Sequence, residues 1–303
     1  MNNLLSIIVL NRSLADDVIA LYENLKKQTF QNFDLIVLDD NSEEKELEKL
    51  KNITDERFIV YSYSSPFRFG YDLKWNFILK KALSRKPKYI YTIHNDMKIN
   101  NPNLLEQLVN YLEQNESYGA VAPTIYNGSG VMTWGPGIVK VRMGKEYIMN
   151  ETYMVRSKCF IEMGLINEKL IYYGTEYYTF NWLRNNGYST KIIGNVSVTH
   201  YAGMIVSVKY ENHSRKFQNQ KDYYRPRTSI LIMKLFCKDD SLKQKIIYFY
   251  EEMGEQRLKM KKYLKNAQIL KFTRTLLILT AGTLAGLIIN VEENKALDFN
   301  QET

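Results

Sequence analysis

Apolar residues fall into two alternating rhythms over the amino-terminal part of the chain. Four short runs, "LLSIIVL" (4–10), "FDLIVLDD" (33–40), "FIVYSY" (58–63) and "KYIYTI" (88–93), are rich in β-branched and aromatic residues and predict buried strands. Between them, "DDVIALYENLKKQ" (16–28) spaces Val18, Leu21 and Leu25 as a helix would, and "DLKWNFILKKAL" (72–83) and "NLLEQLVNYLEQ" (103–114) read the same way. Asn101-Pro102 predicts a cap with proline in the first turn of the last of these. Strand and helix in alternation imply an α/β fold, a mostly parallel sheet with helices on its faces. In such sheets ligands bind beyond the carboxyl ends of the strands. Polar clusters stand at three of those ends: Asn11 and Arg12; Asp39, Asp40, Asn41 and Ser42; His94, Asn95 and Asp96. Turn and cap chemistry accounts for any one alone, but three in register mark a ligand site.

Composition supports a globular protein. With 303 residues, 45% hydrophobic and 24% charged, the chain suffices for one large α/β domain and an appendage. Cys159 and Cys237 form no Cys-x-x-Cys pair, so no zinc site or disulfide framework is expected and a reducing compartment fits. "LLSIIVL" has no lysine or arginine before it and no small-residue cleavage site after it, so it reads as a first strand rather than a signal peptide. Asn52, Asn115, Asn127, Asn150, Asn195 and Asn212 head Asn-x-Ser/Thr triplets, which matter only in a secreted protein. A dinucleotide-binding fingerprint and a Walker loop are both missing; "GSGVMT" (128–133) lacks the third glycine.

The net charge of +8 is uneven: Arg215 to Arg274 holds 16 Lys and Arg against 6 Asp and Glu, which leaves the rest slightly acidic. Residues 243–270 read as a basic, aromatic-rich helix. An uncharged run follows from Thr275 to Val291, with Gly282 and Gly286 in Gly-x-x-x-Gly spacing. That run is shorter than the ~20 apolar residues of a membrane span, so it is expected to be a core or subunit-interface helix packed closely at its glycines. The basic helix beside it either lies on an anionic bilayer or is a solvated face. No nucleic-acid-binding motif accompanies the basic tail, so a nucleic-acid partner is not expected.

"SIIVLNRS", "QTFQNFDLIVLDDNS" (28–42) and "HND" together resemble the nucleotide-sugar half of a family 2 glycosyltransferase of the GT-A fold. The resemblance runs over about residues 4 to 228. "EKLIYYGTEYYTFNWLRNNGYST" is similar to the family's Gly-Glu-Asp helix, "VSVTHYAG" to a later strand carrying a histidine, and "YYRPRTSILIM" to a segment of rhamnosyltransferase-like members. The implied architecture is a GT-A domain at 1–210, a mixed, mostly parallel sheet flanked by helices, with a basic helical extension at 211–303.

The resemblance also implies a chemistry. Sugar would pass by inverting single displacement from a UDP- or dTDP-activated donor to a hydroxyl of a glycan or lipid-linked acceptor. A divalent cofactor, Mn²⁺ or Mg²⁺, would neutralise the departing diphosphate, held by Asp96 with His200 and His94. His94 stands where the family's Asp-x-Asp pattern has an acid. Donor contacts fall to Asn11, Arg12, Asp39, Asp40, Asn76 and Asn95, with Asp40 favoured for the base imide. Glu176 is the expected general base. The alternative is a degenerate, non-catalytic nucleotide-sugar-binding module. Location is expected to be cytoplasmic, or peripheral on the inner membrane face, and a second copy of the chain is a further expected partner.

Overall fold

In the computed structural model of this chain, which describes residues 4–63, 71–136, 140–142, 145–147, 152–171, 174–201 and 214–297, the four apolar runs are strands. They are β1 (Leu5–Asn11), β2 (Phe33–Asp39), β3 (Phe58–Ser62) and β4 (Tyr89–Thr92). All four lie parallel in the order β3-β2-β1-β4, with Ile8 level with Ile36 on one side and Thr92 on the other. Parallel neighbours need crossover helices, which are α1 (Ala15–Leu25), α2 (Glu44–Lys51) and α3 (Tyr71–Leu83). The charged sequence "EKELEKLK" of α2 buries only Leu50, so it shows no apolar rhythm.

Further strands widen the sheet: β5 (Met97–Ile99), β6 (Tyr118–Asn127), β7 (Met132–Trp134), β10 (Tyr153–Arg156) and β11 (Ser189–His200), while β8 (Lys140–Arg142) and β9 (Lys145–Tyr147) form a separate hairpin. The order is β3-β2-β1-β4-β10-β6-β11-β5, with β7 on β6. β10 runs antiparallel between β4 and β6, so the sheet is mixed, and β11 returns parallel to β6. The helix α4 (Leu104–Gln114) starts later than Asn101-Pro102 predicts. Asn101 Oδ1 instead accepts from the Ser197 backbone N–H at 2.8 Å, beside the irregularity in β11 between Ile193 and Ser197. The same oxygen also accepts from the Ser197 hydroxyl at 3.3 Å, so the Asn101 side chain serves β11 and not the helix start.

Side chains alternate across the sheet and build a core on each face. Ile7, Val9, Leu35 and Val37 pack with Val18, Leu21 and Leu25 of α1 and Leu105 and Leu108 of α4. Ile8, Ile36 and Leu38 pack on the other face with Trp75, Ile78 and Leu79 of α3, and with α5 (Ser157–Met163) and α6 (Thr175–Asn185). The long helix α7 (Ser214–Phe236) joins this second core through Ile230 to Phe236. The expected domain boundary after residue 210 lies outside the described residues.

Residues 243–270 are not one helix. α8 (Leu242–Glu252) and α9 (Gly254–Lys265) break at Met253, and α10 (Ile269–Ile288) follows. α8 opens on a capping box, with Ser241 and Gln244 bonded reciprocally. α10 is longer than the uncharged run, because Ile269 to Arg274 continue the helix. By length and composition alone it is long and apolar enough to cross a membrane. Its glycines do pack closely, and their partner is this chain's own α7. A Cβ on Gly282 would stand 2.1 Å from the Tyr223 carbonyl oxygen, and one on Gly286 2.9 Å from that of Arg227.

Candidate active site

The ladder between β5 and β11 brings together residues about a hundred positions apart. His200 stands opposite Met97, and the Tyr201 N–H donates to the Asp96 carbonyl at 3.1 Å. The Asp96 carboxylate therefore meets the His200 ring, Nε2 to Oδ2 at 3.2 Å, and the His94 ring lies 5.6 Å from that of His200 in an edge-to-face arrangement. One ligand atom from each of His94, Asp96 and His200 falls within 4.8 Å of the others. Burial alone would raise the Asp96 carboxyl, but the hydrogen bond from His200 and the charges of both imidazoles outweigh it and hold it below the ordinary carboxylate range. An ionised carboxylate and two imidazoles converging at the carboxyl ends of β4 and β11 fit a divalent cation. Two nitrogens and one oxygen suit Mn²⁺ better than Mg²⁺, which prefers oxygen alone.

Beside this cluster the loops after β1 and β2 are laced together. Asn95 Nδ2 donates to Asn11 Oδ1 at 3.0 Å, and Asn11 Nδ2 to Asp39 Oδ1 at 3.0 Å. Ser42 closes the network from the other side: its Oγ–H donates to Asp39 Oδ1 at 2.5 Å and its N–H to Asp39 Oδ2 at 3.1 Å, while its Oγ accepts from the Ser13 N–H at 2.7 Å. Ser13 and Asn41, both at φ 55°, hold left-handed conformations unusual for serine. This bonding keeps both turns in that strained form. Asp39 is buried within the network and braces it. Asp40 points elsewhere, its Oδ2 accepting from Arg12 Nη1 at 3.2 Å and Lys74 Nζ at 2.6 Å. Both cations share one oxygen, and among the described residues Oδ1 takes no hydrogen bond, so it can accept from an N–H donor.

The remaining expected residues are carried by helices. Asn76 on α3 is buried, its Nδ2 donating to the Ile166 carbonyl at 2.8 Å and its Oδ1 accepting from the Ile166 N–H at 3.0 Å, so its amide ties α3 to the segment after α5. Glu176 is half-buried in the first turn of α6. In "YYRPR", Arg227 is buried and donates to the carbonyls of Lys169 and Leu170 at 2.6 and 2.9 Å, a strut between α7 and the loop before α6. Two residues near these carboxylates carried no sequence cue. Lys74 is a buried cation on a helix that reads as amphipathic. Asp17 on α1 has its carboxyl raised by burial, then by the charges of Asp96 and Asp16. A cleft of about 1240 Å³ lined by Lys80, Lys88, Arg156 and Lys158 opens at the amino-terminal edge of β4, away from this chemistry.

A sheet of this order, with its polar residues gathered at the carboxyl ends of β1, β2 and β4, defines the GT-A architecture. The chain belongs to glycosyl transferase family 2, whose sequence profile matches residues 5–172, and it is a glycosyltransferase. Solved structures agree on the fold. A mannosyltransferase, PcManGT from Pyrobaculum calidifontis in complex with GDP-Man and Mn²⁺, superposes with a TM-score of 0.57 at 11% identity, covering 95% of this chain and 88% of that one. S. aureus TarS 1–349 gives a TM-score of 0.55 at 15% identity, covering 91% and 90%. The same TarS fragment in complex with UDP gives 0.51 at 16%. No curated protein matches the sequence.

Proposed function

We propose that this protein transfers a hexosyl group, with inversion, from a UDP- or dTDP-activated donor to a hydroxyl of a glycan or lipid-linked acceptor. The observation that carries this reading is the convergence of His94, Asp96 and His200 beside Asp40 at the carboxyl edge of the sheet. Asp40 Oδ1 would accept the imide N–H of uracil or thymine, a donor that guanine offers in a different shape, while Arg12 and Asn11 border the base and ribose. His94, Asp96 and His200 would hold the divalent ion, which when bound supplies positive charge against the diphosphate as it departs. Asn95, bonded to Asn11, links the base loop to that group. Glu176 would take the acceptor hydroxyl proton as the acceptor oxygen bonds to the anomeric carbon and the bond from that carbon to the diphosphate oxygen breaks. The Mn²⁺ in the PcManGT complex and the UDP in that of TarS support an ion and a uridine nucleotide in such a fold.

The test is a thermal-shift panel of UDP-, dTDP- and GDP-sugars with and without Mn²⁺, on the wild type and Asp96→Asn. A ligand at 100 times its dissociation constant stabilises by about 2.7 kcal/mol. Stabilisation by the pyrimidine nucleotides that requires Mn²⁺ and disappears in the variant is expected. Binding of unchanged affinity in the variant without metal would remove Asp96 from the site. Binding without turnover on any acceptor would favour the non-catalytic module.

A further inference from the structure

The outer face of α10 is the largest unexplained feature of the surface. Its inner face rests on α7, while Leu270, Leu277, Leu284, Leu287 and Ile288 point outward and are each more than half exposed. A helix of this length runs about 30 Å. Leu258 and Leu264 on α9 extend the apolar surface beyond its start. An apolar stripe this long on a soluble surface marks a contact.

Charge says with what. From Gln256 to Val291 the chain has seven Lys and Arg and no Asp or Glu. Arg257 lies against the Tyr250 ring and Lys259 pairs with Asp222. Lys261, Lys262, Lys265, Lys271 and Arg274 are exposed and form no ion pair among the described residues. They crowd the end of α9 and the start of α10, at one end of the leucine stripe. A second copy would bury the leucines, but α9 and α10 offer those five cations only Glu255, which is already paired with Arg225. A nucleic acid would satisfy the lysines and leave the leucines in water. An anionic lipid surface satisfies both, with headgroups for the lysines and the acyl boundary for the leucines.

The mode of contact follows from what holds α10 down. Lys234 of α7 donates to the carbonyls of Leu287 and Ile289 at 2.6 and 2.8 Å, and the segment after the helix returns to the catalytic body, where Asn167 Nδ2 donates to the Glu292 carbonyl at 2.6 Å and the Leu297 N–H to that of Ile161 at 2.8 Å. To cross a bilayer, α10 would have to drag α7 and part of the core into hydrocarbon. We infer that α9 and α10 form an in-plane docking face for an anionic membrane, with α10 lying along the surface and the enzyme anchored without a span. This surface stands independently of the sugar-transfer chemistry.

Sedimentation of the full chain with vesicles tests it, using phosphatidylcholine alone and phosphatidylcholine mixed with phosphatidylglycerol. The wild type should pellet with the anionic vesicles at low salt and be released by high salt. At about 1 kcal/mol per basic residue near the surface, the triple variant Lys261→Gln, Lys262→Gln, Lys265→Gln should partition roughly a hundredfold less. Leu277→Gln with Leu284→Gln should lose at least about tenfold. All five positions are solvent-exposed, so unchanged thermal unfolding verifies the fold of each variant, and the salt titration of the wild type tests the proposal without any variant. A wild type that stays in the supernatant with both vesicles overturns the inference. So does binding that ignores salt and lipid charge, or a dimer in light scattering that Leu277→Gln with Leu284→Gln dissociates, which would assign the face to a second copy.

Discussion

Asp40→Asn should destabilise this protein far more than a surface loop substitution, and the reason is Lys74. The Lys74 side chain is 6% exposed and its ammonium sits 2.6 Å from Asp40 Oδ2; Arg12 reaches the same oxygen at 3.2 Å. Without the carboxylate, two cations less than about 6 Å apart face each other, a repulsion of at least about 3 kcal/mol at an effective dielectric constant near 20. Arg12, 30% exposed, can swing into water, but Lys74 cannot without unpacking α3. Stranding one partner of a buried pair costs about 3 to 5 kcal/mol, so a loss of about 3 kcal/mol is expected after Arg12 relaxes. Removing the stranded charge as well, in Asp40→Asn with Lys74→Met, should recover all but about 1 kcal/mol, because an apolar side chain suits that burial. Urea denaturation of the four members of the cycle measures this. A single variant within about 0.5 kcal/mol of wild type, or a double no more stable than the single, would refute the reasoning. Nucleotide affinity at Asp40 is best read in the double variant, since the single one measures a damaged loop.

Three further outcomes are expected. Glu176→Gln should keep donor affinity, measured by calorimetry, and cut transfer in a radiolabelled-donor assay by about a hundredfold or more; a variant retaining a third of the rate would make Glu176 structural. Asn76→Ala strands the Ile166 N–H and C=O, at about 1 to 3 kcal/mol each, so its urea midpoint should fall while the folded variant binds donor as the wild type does; the reverse pattern would put Asn76 in contact with the nucleotide. Gly282→Ala should lower the melting temperature although alanine is the better helix former by about 1 kcal/mol, because its Cβ would collide with the Tyr223 carbonyl 2.1 Å away; a rise would mean that α7 and α10 separate easily.

The strands buried on both faces were legible because each is a continuous apolar run whose placement needs only its neighbours in sequence. β10 was not. Its four residues, Tyr153–Arg156, have no alternation, and they enter the sheet between β4 and β6 through pairings distant along the chain. The polar strand ends could be located from the α/β rhythm, yet the partnership of Asp96 with His200 spans 104 positions and only the family resemblance pointed to it. Lys74 looks like a solvent-facing charge beside Leu73 and Trp75; its burial depends on how the loop after β2 folds over α3. Asn76 stands out in sequence as a polar residue among apolar ones. That its amide bonds the backbone 90 positions on, at Ile166, only the fold reveals.

The segment after α10 has a practical consequence for anyone expressing the catalytic part alone. The Asn294 N–H donates to the Tyr178 hydroxyl at 3.2 Å and its Nδ2 to the Gly164 carbonyl at 2.9 Å, next to the Ile166 that Asn76 grips; two positions before Asn76, Lys74 reaches Asp40. These contacts stitch residues 292–297 to the loop after β2 through α3. A truncation placed after α7 or α10 would unpick that seam, exposing the underside of the loop between α5 and α6. An affinity tag belongs beyond residue 297 on a long linker, or at the other terminus, because a short fusion at the seam would pull on the loop after β2 from behind.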